Sequence, residues 1–250
     1  MNNAKTKQNP WFTFPKPNAN ASLRLFCLPY AGGGGHIYIP WKDKLASSIE
    51  LCSVQLPGRG MRMIDAPITQ LKPMIDALVR ELTPLLSEKP YALFGHSMGA
   101  LLCYELTRQL SLLKKPLPTK IFASGRRAPS VIDPDPVTYN LPHDQFIQEL
   151  DRLNGTPKEV LQNAELMELL MPTLRADFEL CETYEYQSGG EVPCSITAIG
   201  GIDDDNASEE ELEFWCDHTS KEFKSYRLPG DHFFLHSAED ELLKILHDEL

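Results

Sequence analysis

The stretch from Tyr91 to Ala100 constrains the fold of this chain more than any other. Four residues suited to a buried strand, Tyr91 to Phe94, run directly into Gly95-His96-Ser97-Met98-Gly99, and a helical pattern follows from Met98 to about Leu113. A strand that becomes a helix without an intervening loop must pass through a residue in a strained backbone conformation. Its neighbours two positions away must then lack side chains, so that strand and helix can approach closely. The sequence has glycine at both of those positions and serine at the apex. A hydroxyl presented this way projects from the C-terminal edge of a sheet, above a helix N-terminus that favours developing negative charge. This context predicts a nucleophilic Ser97; the same five residues elsewhere would read as an ordinary turn.

Around this turn, short apolar runs alternate with helical patterns. The runs are Leu23 to Leu28, Glu50 to Leu56, Tyr91 to Phe94, Ile121 to Ser124, Ser195 to Ile199 and Lys224 to Leu228. Such alternation predicts an α/β fold, a mostly parallel sheet flanked by helices with right-handed crossovers. A length of 250 residues suits one large domain, expected over residues 21–250. Residues 1–20 are polar and contain proline, and read as a flexible lead-in whose Trp11, Phe12 and Phe14 could pack back on the domain. Between Arg126 and Pro193 the rhythm breaks, with helical pattern only. Asp144 to Leu153 is amphipathic, Thr156-Pro157-Lys158-Glu159 spells a capping box, and Ala164 to Leu170 is helical, with Pro172 expected to interrupt it before the pattern resumes. About 60 residues of helix are too many for a connecting loop. The expectation is a helical lid over residues 127–192.

Serine at neutral pH needs a base, and the base needs an orienting acid. His232 lies just beyond the last strand, in Arg227-Leu-Pro-Gly-Asp-His-Phe-Phe234, and so reaches the same sheet edge as Ser97. His143 falls in the lid, His218 in a polar stretch, and His236 and His247 in the terminal helical region. His96, inside the turn, reads as a packing residue. The acid should follow the preceding strand, where Gly201-Ile-Asp-Asp-Asp205 offers three aspartates; Asp204 is the choice and Asp203 the fallback. An oxyanion site needs backbone N–H groups aimed at the tetrahedral oxygen. Met98 supplies one, and the glycine-rich Pro29-Tyr-Ala-Gly-Gly-Gly-Gly35 another, assigned to Ala31 with Tyr30 and Gly32 as alternatives. Phosphate cradling is the rival for that glycine run, but His36 and Ile37 stand where a P-loop carries lysine and a hydroxyl.

Composition narrows the partners. A net charge of −11 leaves no basic stripe for nucleic acid and no attraction to anionic membrane. Six cysteines without a C-x-x-C pair read as reduced thiols of a cytoplasmic protein. The N-terminus lacks the apolar core of a signal peptide, and no run reaches membrane-spanning length.

LPYAGGG from Leu28, LPGRGMR from Leu56, FGHSMGA from Phe94, GIDDD from Gly201 and PGDHFFL from Pro229 together resemble the type II thioesterases, the stand-alone editing partners of nonribosomal peptide and polyketide synthases. The resemblance runs from about Leu23 to the C-terminus. It implies an α/β-hydrolase fold with a helical lid and a triad of Ser97, Asp204 and His232. The implied reaction is hydrolysis of an acyl thioester on the phosphopantetheine arm of an acyl or peptidyl carrier protein, by a monomer without metal or organic cofactor. A medium-chain thioesterase serving a fatty-acid synthase, a general esterase and a non-catalytic carrier-binding protein are the rival readings.

Four arginines, Arg59, Arg62, Arg126 and Arg127, lie in loops expected on the Ser97 side of the sheet. Carrier proteins are usually acidic, so a chain this acidic would repel them unless its entrance were locally basic. Arg126 and Arg127 are therefore candidate carrier contacts. Arg59 and Arg62 are as readily explained by structural ion pairing.

Overall fold

The computed structural model describes residues 9–250. Seven strands form one sheet: β1 (Phe12–Thr13), β2 (Leu23–Leu28), β3 (Ile49–Val54), β4 (Tyr91–His96), β5 (Lys120–Ser124), β6 (Ser195–Gly201) and β7 (Phe223–Leu228). Their order is β1-β3-β2-β4-β5-β6-β7, with every pair parallel except β1 on β3. Helices α1 (Leu71–Leu82), α2 (Met98–Leu112), α3 (His143–Arg152), α4 (Lys158–Leu161), α5 (Ala164–Glu182), α6 (Glu209–Glu213), α7 (Phe234–Ser237) and α8 (Glu239–Glu249) surround it, with a 3-10 helix over Gly35–Asp43.

The central strands β2 to β6 are largely buried because both faces of the sheet are covered there, whereas β7 at the edge is mostly half-buried. Phe26 and Leu28 of β2, with Tyr91 and Leu93 of β4, point into the cluster shared with α1 and α2. Their neighbours Leu25, Cys27, Ala92 and Phe94 point into the opposite cluster, with Tyr38, Trp41 and the leucines of α8. All six cysteines are unpaired. Among the described residues no helix is long and apolar enough to cross a membrane.

Residues 9–20 do not behave as a loose lead-in. Trp11 and Phe12 are buried, Phe12 pairs with Val54, and the Trp11 carbonyl accepts from the Gln55 N–H at 2.7 Å. The aromatics anchor this segment, since Phe12 meets Phe26 edge-on and the Arg62 guanidinium lies 4.1 Å from the Trp11 ring centroid. The first eight residues of the expected lead-in lie outside the described residues.

Between β5 and β6, α3, α4 and α5 share an apolar cluster of their own, with Phe146, Leu150, Met167, Met171 and Leu174 at its centre. Two local expectations fail here. Pro172 does not interrupt the helix: α5 runs unbroken through it, because buried residues on either side, Met167, Met171, Leu174 and Leu180, hold both halves on one packed stripe. The capping box at Thr156 does not form either. Pro157 occupies the cap of the four-residue α4 with no side-chain hydrogen bond, and the reciprocal box appears at Ser208 and Glu211 on α6.

If β1 belongs to the core, Phe12→Ala should destabilise the protein by about 3 kcal/mol, as large-to-small core changes do. Urea denaturation measures this; a loss below about 0.5 kcal/mol, typical of exposed sites, would show that the segment is dispensable.

Candidate active site

Strand register brings the functional loops to one edge. Leu28 pairs with Gly95, His96 with Ser124, Ser124 with Ile199, and Gly201 with Leu228. The chain therefore leaves β2, β4, β5, β6 and β7 at similar height. Ser97 follows β4 at once, Asp204 comes three residues after β6, and His232 four residues after β7.

Ser97 has φ 52° and ψ −112°, a conformation that L-residues rarely adopt. Holding it costs on the order of 1–3 kcal/mol, which the packing around it must supply. Both flanking glycines are sterically required. A Cβ on Gly95 would lie 2.1 Å from the Gly99 carbonyl oxygen, and one on Gly99 would lie 2.2 Å from that of Leu28. The Ser97 N–H donates to the Ser124 carbonyl at 2.7 Å, tying the turn to β5.

Of the three aspartates, Asp203 and Asp205 are exposed and Asp204 is buried. Nδ1 of His232 lies 3.1 and 3.0 Å from the two carboxylate oxygens of Asp204. Burial alone would raise the Asp204 pKa, but hydrogen bonds from His232 and Asn206 outweigh it and hold the pKa below the ordinary 3.8. An ionised Asp204 fixes the imidazole tautomer: Nδ1–H donates to the carboxylate, and Nε2 keeps its lone pair.

His96 does more than pack. It is fully buried, with Nε2 2.9 Å from the His232 carbonyl and Nδ1 2.9 Å from the Ser124 hydroxyl. A carbonyl can only accept, so Nε2 carries the proton and Nδ1 accepts from Ser124. Burial first, and the neighbouring His232 second, hold the His96 pKa well below 6.5, so the ring is neutral. The residue before Ser97 thus anchors the backbone of His232. No spacing in the sequence shows this, because it depends on β4 and the loop after β7 meeting in space. His218 is also buried rather than solvated, between the Tyr104 hydroxyl at 3.0 Å and the Ser130 hydroxyl at 2.9 Å.

Among the described residues, neither the Met98 nor the Ala31 N–H is engaged in a hydrogen bond. The Gly32 N–H, an alternative donor, is held by the Asp177 carboxylate at 2.7 Å. Ser97, His232 and Ala31 line one cavity of about 490 Å³, walled by Leu150 and Phe178 of the helical insert.

The arginines divide. Arg127 is 7% exposed and donates to the Asn206 carbonyl and to Asp133, with Glu211 at 3.3 Å, so its guanidinium is already engaged within the fold. Its loop lies against α6, which carries Glu211, with Asn206 just before that helix. Arg59 is bound by Asp177, and Arg62 by Asp65 and the Gln55 carbonyl. Arg126 and Arg127 both line the cavity, and of the two Arg126 lies close to Cys181. Burial pushes the Cys181 thiol up to about 11, against the opposing effect of the Arg126 charge.

A doubly covered parallel sheet, a serine on a strained strand-to-helix turn and an Asp–His pair at the same edge define an α/β-hydrolase. Within that class the chain belongs to the thioesterase family, whose domain it matches over residues 23–250. It is 43% identical to the gramicidin S biosynthesis protein GrsT of Aneurinibacillus migulanus, over 97% of this chain and 94% of that protein. It is 44% identical, over 98% and 95%, to a protein of Brevibacillus parabrevis named linear gramicidin dehydrogenase LgrE. The RedJ thioesterase from the prodiginine biosynthetic pathway of Streptomyces coelicolor superposes with a TM-score of 0.87 at 36% identity, covering 93% of this chain and 92% of that one.

The buried histidines set the response to acid. The His96 pKa lies well below 6.5 when folded, and burial likewise lowers that of His218, so unfolding takes up protons below about pH 6.5. Their stabilising contribution is complete above that pH and is lost as pH falls toward the folded-state values. The expected slope reaches up to about 1.4 kcal/mol per pH unit for each histidine. Denaturation curves at pH 7.5 and 5.5 measure it, and equal stability at both would contradict the assignment.

Proposed function

We propose that Ser97, His232 and Asp204 act as nucleophile, base and orienting acid in hydrolysing acyl thioesters carried on the phosphopantetheine arms of carrier proteins. The observation that carries this reading is the buried Asp204 carboxylate on His232 Nδ1, with His232 and Ser97 facing one cavity. The Ser97 Oγ attacks the acyl carbonyl while His232 Nε2 takes its proton, forming the tetrahedral oxyanion beside the Met98 and Ala31 N–H groups. Collapse breaks the C–S bond. The leaving thiolate needs less protonation than an amine would, because an ordinary thiol has a pKa of about 8.5. The imidazolium returns its proton to the departing sulfur. A water deprotonated by His232 then attacks the acyl-serine, releasing the acid and restoring the Ser97 hydroxyl.

The biosynthetic roles in the relatives' names support an editing task beside a peptide or polyketide synthase. The cavity wall combines Arg126, Glu182 and Glu185 with the apolar Leu150, Leu174 and Phe178. The insert carrying α3 to α5 serves as its lid. Arg126 is the remaining candidate to meet the arm or its phosphate, with Arg127 engaged inside the fold.

Acetyl and octanoyl groups loaded on a carrier protein test this. Wild type should release acetyl readily, and Ser97→Ala should lose roughly a thousandfold or more in kcat. Release of octanoyl alone would favour a fatty-acid role, and activity surviving in Ser97→Ala would overturn the nucleophile. Asp204→Asn should lower kcat by roughly 10³- to 10⁴-fold, while Asp203→Asn stays within about twofold of wild type. Arg126→Glu should raise KM for acetyl-carrier about tenfold and leave that for acetyl-pantetheine unchanged; equal losses on both substrates would remove Arg126 from carrier recognition.

A further inference from the structure

We infer that Asp177 and Arg59 are positioning residues that hold the 30–35 loop so that the Ala31 N–H faces the reacting carbonyl. This rests on the thioesterase mechanism above and assigns part of its geometry to the lid. Asp177 lies on α5 with 0% exposure, and Arg59 follows β3 with 4%. They form a bidentate pair, Nη1 to Oδ2 and Nη2 to Oδ1, each at 2.7 Å. Each partner also holds the loop. Asp177 Oδ2 accepts the Gly32 N–H at 2.7 Å, and Arg59 Nη1 donates to the Gly33 carbonyl at 3.0 Å.

A further contact in the loop completes the aim. The Gly33 N–H donates to the Tyr30 carbonyl at 2.9 Å. That carbonyl belongs to the same peptide unit as the Ala31 N–H, and in a trans peptide the two point in opposite directions. Because the Tyr30 oxygen is held inside the turn by Gly33, the Ala31 N–H of the same peptide faces away from the turn, while the bonds to the Gly32 N–H and the Gly33 oxygen fix the residues that follow. Gly32 has φ +75°, and a Cβ there would lie 2.5 Å from Leu174 Cδ2 of α5, so the helix also seats against the loop directly.

Stability alone does not account for two buried charges here. A well-packed apolar pair of similar volume would hold α5 as well or better. An apolar pair could not accept from Gly32 or donate to Gly33, however, and those are the bonds that orient the loop.

That difference is the test. Asp177→Asn and the double variant Arg59→Met/Asp177→Leu are compared with wild type on acetyl-pantetheine, which involves no carrier. Asp177→Asn leaves Arg59 without a counter-charge and can lose stability, whereas the double variant removes both charges. Both should lower kcat about 10- to 100-fold with KM within about twofold, since a misaimed donor falls short of the loss seen when one is removed. The double variant should melt at or above the wild-type temperature. Wild-type kcat in a folded double variant would overturn the inference. If the double variant does not fold, Arg59→Lys decides: a lysine cannot hold both Asp177 oxygens and the Gly33 carbonyl at once, so unchanged kcat there would overturn the inference as well. Ser97→Ala, run alongside, separates the failures, because activity surviving there would overturn the mechanism and not merely this positioning role.

Discussion

The site depends on how closely α2 lies against the sheet. The Leu28 carbonyl of β2 occupies the space that any side chain at Gly99 would need, and the Gly99 carbonyl does the same at Gly95. Strand, turn and helix can meet at this distance only with glycine at both positions, and Ser97 takes its unusual backbone angles as a result. The strain is held by burial around it, since Met98, Ala100, Leu101 and Leu102 all enter the core. The same approach brings the 30–35 loop, which continues from β2, beside the serine.

Charge is used locally in this acidic protein. Arg59 pairs with the buried Asp177, while Arg62 and Arg127, themselves buried, reach the more exposed carboxylates of Asp65 and Asp133. Arg127 ties the loop after β5 to Asn206 and Glu211, the segment that follows Asp204. His96 makes the equivalent tie between the turn and His232. These contacts leave Ser97, Asp204 and His232 standing on neighbours that are themselves hydrogen-bonded, which holds their arrangement without rigid linkers.

The helical insert is attached unevenly. α5 is fixed to the body by the Asp177–Arg59 pair and by the Thr173 hydroxyl on the Gly58 carbonyl at 2.6 Å, while Glu182 holds the backbone of Thr138 and Tyr139 in the segment leading into α3. α3 and α4 pack mainly on α5 through Phe146, Leu150 and their neighbours. Their meeting with the β7 side rests on Asn154 reaching Asp231 at 3.2 Å and on Gly155 against the Phe233 ring. α5 therefore forms a firmly held wall of the cavity, and α3 with α4 are the more lightly attached part of the insert.

The serine turn, the parallel sheet and the positions of Asp204 and His232 were legible in the sequence because each follows from local rules: strand periodicity, chain order at a sheet edge, and glycine where only glycine fits. The β1 strand was less legible, since a two-residue strand has no periodicity and forms only when Trp11 and Phe12 find the core. Pro172 misled for a related reason, because helix propensity is local and the packed stripe that overrides it is not. One clue to Asp177 was available, a carboxylate on the apolar stripe between Leu174 and Leu180 of α5, but its partner lies 118 residues away. By itself the sequence determined the fold class, the strand-to-helix turn at Ser97 and the sheet edge to which Asp204 and His232 come. Only the tertiary structure decided which arginines were engaged, what His96 holds, and how the 30–35 loop is oriented, because those depend on contacts between segments that no spacing along the chain specifies.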